Sequence, residues 1–427
     1  MVSLGGLAAF IVICFLASHN PAKVNWHPVY VGFVVQFIFA LIILKTRWGF
    51  EAFKWLGDRV TEFLAHSNAG AAFVFGDYAR IVSFQGQTIE FTGVYTLHFF
   101  AFSIMPVVTF FSTVITVLYY LGIAQAIIKV IGRFLSFWMG TTPAESLSVS
   151  ANIFVSMTEA PLIIRPFLPI MTSSELHTVM VGGFATIAGG VMGAYIGFGV
   201  PADHLISASV LSAPAALAIS KLLYPETEKP IVKAEDYDNM EKTGERNIIE
   251  AACNGANISA QIIAAIIVNV MAFLSLLKFV NATLTWCGER VGVQNLTFEA
   301  RITNANYTFF CMICSYVLFP VALFMGTESA DCRKMAELIG LKTFTNEFIA
   351  YEVDSFLLYY CSLQQRSQII ATYALCGFSN FGSIGILLGS MSAMAPQRKS
   401  TMSSIVLRAM IGGNVACFFT ACIAGEL

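Results

Sequence analysis

Long apolar runs separated by short polar breaks dominate this chain. Residues 3–18, 28–45, 95–123, 204–223, 256–280, 307–325 and 403–424 are each predominantly apolar. Runs of about 20 apolar residues suit helices that cross a hydrocarbon core, whereas membrane-barrel strands would alternate over about ten. Two other stretches have helical rather than continuous patterning. In residues 49–66, Phe53, Leu56, Val60, Phe63 and Leu64 share one helical face with charges opposite, which predicts an interfacial amphipathic helix. Residues 124–138 read the same way, with Lys129 and Arg133 on the wet side. Residues 70–94, with several glycines and Asp77, Arg80, Gln85 and Gln87, read as a loop. Met1 leads straight into run 3–18 with no basic stretch or clear cleavage site, so that run reads as a membrane segment and not a signal peptide.

Two segments break the pattern in the same way. Residues 140–169 (GTTPAESLSVSANIFVSMTEAPLIIRPFLP) hold Glu145, Asn152, Thr158, Glu159 and Arg165 together with Pro143, Pro161, Pro166 and Pro169. Ionisable groups at membrane depth are costly and persist where they face a cavity or a partner. Proline there frees carbonyls that need other partners. The segment therefore predicts two half-helices meeting at a polar tip, a re-entrant hairpin. A glycine-rich span, 176–199, follows, with Thr186 in its middle. The arrangement recurs as a polar, broken segment at 330–363 and a glycine-rich helix at 368–391 with CGFSNFGSIGI at its centre. Paired interrupted segments are the sequence pointer to a transporter site near the midplane.

Composition narrows the class. The chain of 427 residues is 57% hydrophobic and 12% charged, with mean hydropathy +0.72, against about 25% charged for a soluble domain. The fold class is an all-α polytopic membrane protein, so the lipid bilayer is its first partner. A net charge of −2 supports no nucleic-acid surface. The ten cysteines are scattered, and Cys311 and Cys314 sit within YTFFCMICSYVLF, where a helix face explains them better than zinc. No histidine pair at i, i+4 and no nucleophile–base pattern points to an enzyme, a metal site or an organic cofactor. Residues 224–250 are the one long charged run and read as a cytoplasmic loop. Sequons at Asn281, Asn295 and Asn306 make 281–306 an extracellular loop and the chain a candidate glycoprotein.

The two tips carry the chemistry. Thr158 and Glu159 lie at the first and Asn346 and Glu347 at the second, with Asn380 and Ser383 in the second glycine-rich helix. Asn152 and Thr186 offer oxygens near the first tip. Carboxylates with amides and hydroxyls suit a neutral, multiply hydroxylated solute, since each carboxylate accepts from O–H or N–H donors. An anion would want arginine, and Arg165 sits at the hairpin's end, where snorkelling or a structural pair accounts for it. Glu145 can cap the first half-helix beside Pro143. Glu159 and Glu347 have a bland alternative as a mutually satisfied pair.

At these residues the chain resembles the concentrative nucleoside transporters of animals. The first hairpin, MVGGFATIAGGVMGAYIGFGVP, TNEFIAY, CGFSNFGSIGI and ACFFTACIAG match that family's signature segments in order, over nearly all of the chain. The resemblance implies a sodium-coupled symporter that brings nucleosides into the cell through the plasma membrane by an elevator-like motion. It implies a homotrimer in which each copy has a scaffold and a mobile transport domain, with the two hairpins in inverted repeats. The expected division is 1–48 for N-terminal spans and 49–139 for interfacial helices and a scaffold span. Residues 140–200 and 330–391 form the transport units, 201–325 the further spans and their loops, and 392–427 the last span. By position, Met157, Thr158 and Glu159 would face the base, with Val191 and Phe378 packing on it. Glu347, Asn380 and Ser383 would bind ribose hydroxyls. Asn152, the Val155 carbonyl, Thr186 and the Ile187 carbonyl would hold sodium.

The first tip departs from many members, which have Gln where Met157 stands. Met157 and Val191 go with purine nucleosides in that family, while Ser156 resembles pyrimidine-preferring members; the expectation leans to purines. Larger animal members carry further N-terminal spans, so this chain is expected to be a short form or an incomplete gene model with its transport core intact. The alternative reading is an uncoupled facilitator or channel for polar hydroxylated solutes.

Overall fold

The computed structural model describes residues 2–75, 83–84, 87–88, 100–187, 189–197, 199–232, 245–290, 308–351 and 363–427. The chain begins with α1 (Val2–Leu16), α2 (Trp26–Ala40), α3 (Arg47–Ala65) and α4 (Ser67–Phe75). A two-residue antiparallel pair, β1 (Ser83–Phe84) and β2 (Gln87–Thr88), precedes α5 (Phe100–Tyr120) and α6 (Ile123–Met139). Then come α7 (Pro143–Ala151), α8 (Ala160–Ile163), α9 (Ser173–Ala185), α10 (Gly189–Gly197), α11 (Ala202–Leu223) and α12 (Ile248–Arg290). The last part holds α13 (Thr308–Val317), α14 (Phe319–Phe324), α15 (Cys332–Phe344) and α16, described over residues 347–351. It closes with α17 (Gln365–Leu375), α18 (Phe381–Met394) and α19 (Lys399–Glu426). The protein is an all-α polytopic membrane protein.

Among the described residues, Trp26–Lys45, Ala202–Leu223, Ile248–Val280 and Pro396–Glu426 are long and apolar enough to cross a membrane. They occupy different environments. The windows in α11 and in the segment of α19 are 89% and 83% buried, whereas that in α12 is only 11% buried. A helix apolar all round yet so exposed faces lipid or another apolar surface. The core centres on α19, which packs against α9 and α17, while α11 packs against α2. Close approach is built into α19: a Cβ on Gly413 would stand 2.5 Å from Phe184 Cβ in α9. Phe33 and Phe419 stack across α2 and α19 with ring centroids 4.1 Å apart.

Several elements differ from the sequence expectation for identifiable reasons. Both glycine-rich spans are broken in the middle, the first after Ala185 and the second over Cys376–Asn380. Thr186 is extended (φ −119°, ψ 165°), and its carbonyl accepts from Phe378 N at 3.3 Å, so the two breaks satisfy each other. Residues 70–75 belong to helix α4, where a run of alanines favours helix despite Gly70. The rest of that expected loop is undescribed apart from β1 and β2. The span at 256–280 lies within the much longer α12, so residues 281–290, with the Asn281 sequon, continue a helix and are not loop. Asn295 and Asn306 lie outside the described residues. The run 307–325 is two helices, α13 and α14, divided at Leu318 before Pro320, which cannot donate to a continuing ladder.

The amphipathic helices hold with modifications. In α6, Ala124, Ile128, Gly132, Leu135 and Met139 are buried at helical spacing. The opposite face exposes Arg133 but also Val130, Phe134, Phe137 and Trp138, so it is largely apolar, and Lys129 is half-buried. In α3, Gly57 and Leu64 are buried, and Leu56, expected on the packed face, is 39% exposed. Helices α5 and α6 meet at 78° around Gly122, whose φ of 80° favours glycine.

Candidate functional site

The first hairpin starts from its cap. Thr142 N donates to Glu145 Oε1 at 2.8 Å, which satisfies an orphan donor at the start of α7. The same Thr-x-x-Glu device opens α9, where Thr172 N donates to Glu175 Oε2 at 2.8 Å and Glu175 N to Thr172 Oγ1 at 3.1 Å. Glu145 has a second role that its spacing did not suggest. Its Oε2 lies 2.8 Å from Lys221 Nζ of α11, with the two side chains 0% and 7% exposed. The pair ties the root of the hairpin to α11, the most buried of the segments long and apolar enough to cross a membrane. Arg165 is exposed, in keeping with a structural or snorkelling role.

Helix α7 ends at Asn152, and the return arm is a helix for only one turn, α8. Past it the chain runs in turns that mix i→i−3 bonds (Arg165 N to Leu162 O, Phe167 N to Ile164 O and Ile170 N to Phe167 O, at 2.9–3.2 Å) with i→i−4 bonds from Leu168 N and Met171 N. The expected second half-helix is therefore a turn-like arm, because Pro166 and Pro169 have no N–H to extend a ladder. At the tip, Ser156 N donates to Glu159 Oε2 at 2.9 Å, and the Ser156 and Thr158 hydroxyls are 2.8 Å apart.

The second tip is built from two asparagine caps. Asn346 Oδ1 accepts from Ile349 N at 3.0 Å at the start of α16, and Asn380 Oδ1 accepts from Ser383 N at 2.7 Å at the start of α18. The Asn380 amide also donates from Nδ2 to Glu347 Oε2 at 2.7 Å. One side chain thus caps a helix and orients a buried carboxylate. That carboxylate has further acceptor capacity for a bound donor. The return arm of this second hairpin starts as α16, and residues 352–362 lie outside the described residues.

The two tips meet in one cleft. Met157 and Thr158 come from the first tip, Thr345, Asn346 and Glu347 from the second, Val191 from α10, and Phe378, Asn380 and Ser383 from the second break and α18. Seven of the eight expected substrate-site residues share this space. Glu159 does not: it lines a smaller neighbouring cavity. Since Glu159 and Glu347 border different cavities and bond to Ser156 and Asn380, the mutually satisfied pair is not what forms. The remaining wall of the cleft is α12, through Ile262, Ala265, Ile266 and Asn269. Sequence reading missed this wall. The one signal was Asn269 interrupting an apolar run, and its Nδ2 now donates to Ala265 O at 2.8 Å.

The four residues expected to hold a cation lie at the helix ends beside the first tip. Asn152 is fully buried, and neither atom of its amide has a hydrogen-bond partner within the described chain. A Cβ on Gly182 would stand 3.2 Å from Asn152 Nδ2, and the Gly182 carbonyl accepts from Thr186 Oγ1 at 2.8 Å. Asn152 and Thr186 therefore converge on one turn of α9. Val155 and Ile187 are buried on the loops that follow α7 and α9. Orphaned buried amides are rare and call for an explanation. An uncharged set of amide, hydroxyl and carbonyl oxygens fits a hard cation.

Three family profiles match the chain: "Na+ dependent nucleoside transporter C-terminus" over residues 204–425, "Na+ dependent nucleoside transporter N-terminus" over 5–78, and "Nucleoside recognition" over 101–202. Solute carrier family 28 member 3 of Rattus norvegicus is 47% identical over 440 residues, covering 100% of this chain and 58% of that protein. Sodium/nucleoside cotransporter 1 of Mus musculus is 44% identical over 440 residues, covering 100% of this chain and 64% of that one. The chain thus spans about three-fifths of the length of these curated relatives. A solved structure of CNTnw in an inward-facing substrate-bound state superposes with a TM-score of 0.86 at 34% identity, covering 100% of this chain and 97% of that one. A CNTnw variant in an outward-facing state gives 0.87 at 34% identity, covering 99% and 97%.

Proposed function

Because the chain belongs to the Na+ dependent nucleoside transporter family, a family of transporters and not of enzymes, we propose that it carries nucleosides across a membrane together with sodium. The observation that carries this reading is the meeting of two interrupted segments in one cleft. A buried carboxylate, held by the Asn380 amide, there faces an apolar wall made by Val191, Phe378 and α12. Such a cleft matches a solute with hydroxyls at one end and a flat apolar ring at the other.

In this reading Glu347, Asn380 and Ser383 bind the ribose hydroxyls. Met157, Thr158 and Glu159 address the base, with Val191 and Phe378 against its faces. Sodium is co-transported cargo, held by Asn152, Thr186 and the Val155 and Ile187 carbonyls. It binds beside the tip and not at the ribose, so its occupancy orders the loop that carries Met157–Glu159. Nucleoside affinity then depends on sodium through the tip's conformation.

The finer parts of the proposal are these. Hairpin units 140–200 and 330–391 move as a transport domain against a scaffold that includes α5 and α12, in an elevator-type cycle. The protein works as a homotrimer in the plasma membrane, taking substrate inward. Residues 224–250 face the cytoplasm, and the side bearing 281–306 faces outward and is glycosylated. Met157 and Val191 favour purine nucleosides, since a thioether makes no demand on a base edge that an amide would read.

The test is uptake of labelled uridine, cytidine, adenosine and guanosine in sodium and in choline. Concentrative uptake in sodium that vanishes in choline supports symport. Equal, equilibrative uptake in both would establish an uncoupled facilitator instead.

A further inference from the structure

The position of Glu159 outside the main cleft carries a consequence for which bases fit. The smaller cavity is bordered by Glu159, Phe154 and Val155 of the hairpin, Gly189 and Val191 of α10, Val108, Phe111, Ser112 and Ile115 of α5, and Ile262 of α12. It shares Ser156, Val191 and Ile262 with the main cleft. Met157 and Thr158 border only the larger space and Glu159 only the smaller. A ring held by Met157 and Thr158 that also reaches the Glu159 carboxylate must cross the line of Ser156, Val191 and Ile262. Its outer edge then enters the smaller cavity.

The far wall of that cavity is firm. Val108, Phe111, Ser112 and Ile115 follow helical spacing on one face of α5. Ser112 Oγ donates to Gly255 O at 3.0 Å, and Ser259 Oγ to Thr109 Oγ1 at 3.1 Å, locking α5 to α12. A Cβ on Gly255 would come within 2.7 Å of the Ser112 carbonyl, so the two backbones touch. The Phe111 ring lies against Gly189, where an added Cβ would overlap it. Apart from Glu159, Ser156 and the engaged Ser112, the lining is apolar.

Resting on the nucleoside reading above, we infer that the smaller cavity is a compartment for the outer edge of the nucleobase, and that Phe111 and Ile115 of α5 set the size it admits. Base discrimination then has two parts. The hairpin tip reads hydrogen-bonding groups, and the α5 wall limits apolar bulk.

The experiment measures sodium-driven uptake into proteoliposomes holding the full chain. Substrates are adenosine and uridine, their counterparts enlarged by an apolar group on the base, and their 2′-deoxy counterparts. Phe111→Ala is expected to raise kcat/KM for an enlarged base relative to its parent by about tenfold or more, and Phe111→Trp to lower it. The deoxy-to-parent ratio should stay fixed in both. Ile115→Ala reads the same ratio if Phe111→Ala carries no substrate. An enlarged-to-parent ratio that stays constant across these variants overturns the inference, as does a deoxy ratio that moves equally. Sodium-driven uptake of unmodified nucleoside by the wild-type chain reports separately on the symport reading. Its presence with constant ratios removes the compartment alone.

Discussion

Replacing Glu347 by Gln keeps the side chain's shape and removes its charge. In the structure Oε2 accepts from Asn380 Nδ2 at 2.7 Å, and the residue is 2% exposed. A Gln amide has one oxygen and one NH2. If the oxygen keeps the Asn380 bond, the NH2 faces the cleft; if it turns to the ligand, two amide N–H groups face each other. Either way the bound hydroxyls lose a charged acceptor. Hydrogen bonds to charged groups contribute about 1.5–3 kcal/mol, and 1.4 kcal/mol is a factor of ten. The half-saturation for nucleoside should therefore rise about 10- to 150-fold at saturating sodium. The assay is concentration-dependent uptake of labelled adenosine and uridine, run beside their 2′- and 3′-deoxy forms. A deoxy substrate lacking the relevant hydroxyl has less to lose, so its half-saturation should rise by a smaller factor. An unchanged value for the ribonucleosides, or an equal rise for every analogue, would refute the ribose assignment.

Asn152→Leu removes the orphaned amide while keeping the branched side-chain skeleton; the sodium concentration for half-maximal uptake should rise by about tenfold or more, and an unchanged sodium titration would exclude Asn152 as a ligand. Lys221→Met strands the Glu145 carboxylate in a fully buried position and should cost about 3–5 kcal/mol of stability. The paired change Glu145→Gln with Lys221→Met, which keeps an acceptor for the Thr142 N–H, should recover most of that loss in a thermal unfolding assay of the detergent-solubilised protein; a double variant as unstable as the single would mean that the ion pair is not the cause. Met157→Gln places a donor and acceptor at the tip and should raise pyrimidine uptake relative to purine; a ratio equal to wild type across four nucleosides would remove Met157 from base selection.

Much of the site's local construction was legible because it is short-range. The Thr142–Glu145 cap connects residues three apart, and such spacing is visible in any sequence. The prolines of the first hairpin likewise announced interruption, although only the structure revealed how little helix survives past Ile163. The breaks at Thr186 and at Cys376–Asn380 were hidden. Glycine-rich apolar runs read as continuous spans, and what opens them is a contact between the two, Phe378 N to the Thr186 carbonyl. Residue types alone could not place that bond.

The sequence by itself determined the class of protein, the two interrupted units, and the kinds of atoms each tip presents. Apolar length, proline and capping residues act locally, on the chain that carries them. Only the tertiary structure decided which of those atoms share a space. It joined Glu347 to Asn380, set Glu159 apart in a second cavity, paired Glu145 with Lys221, and brought α12 in as a wall of the cleft. Each of these relations joins different elements of the chain. Packing sets their distances, and packing is a property of the whole chain, not of any stretch of it.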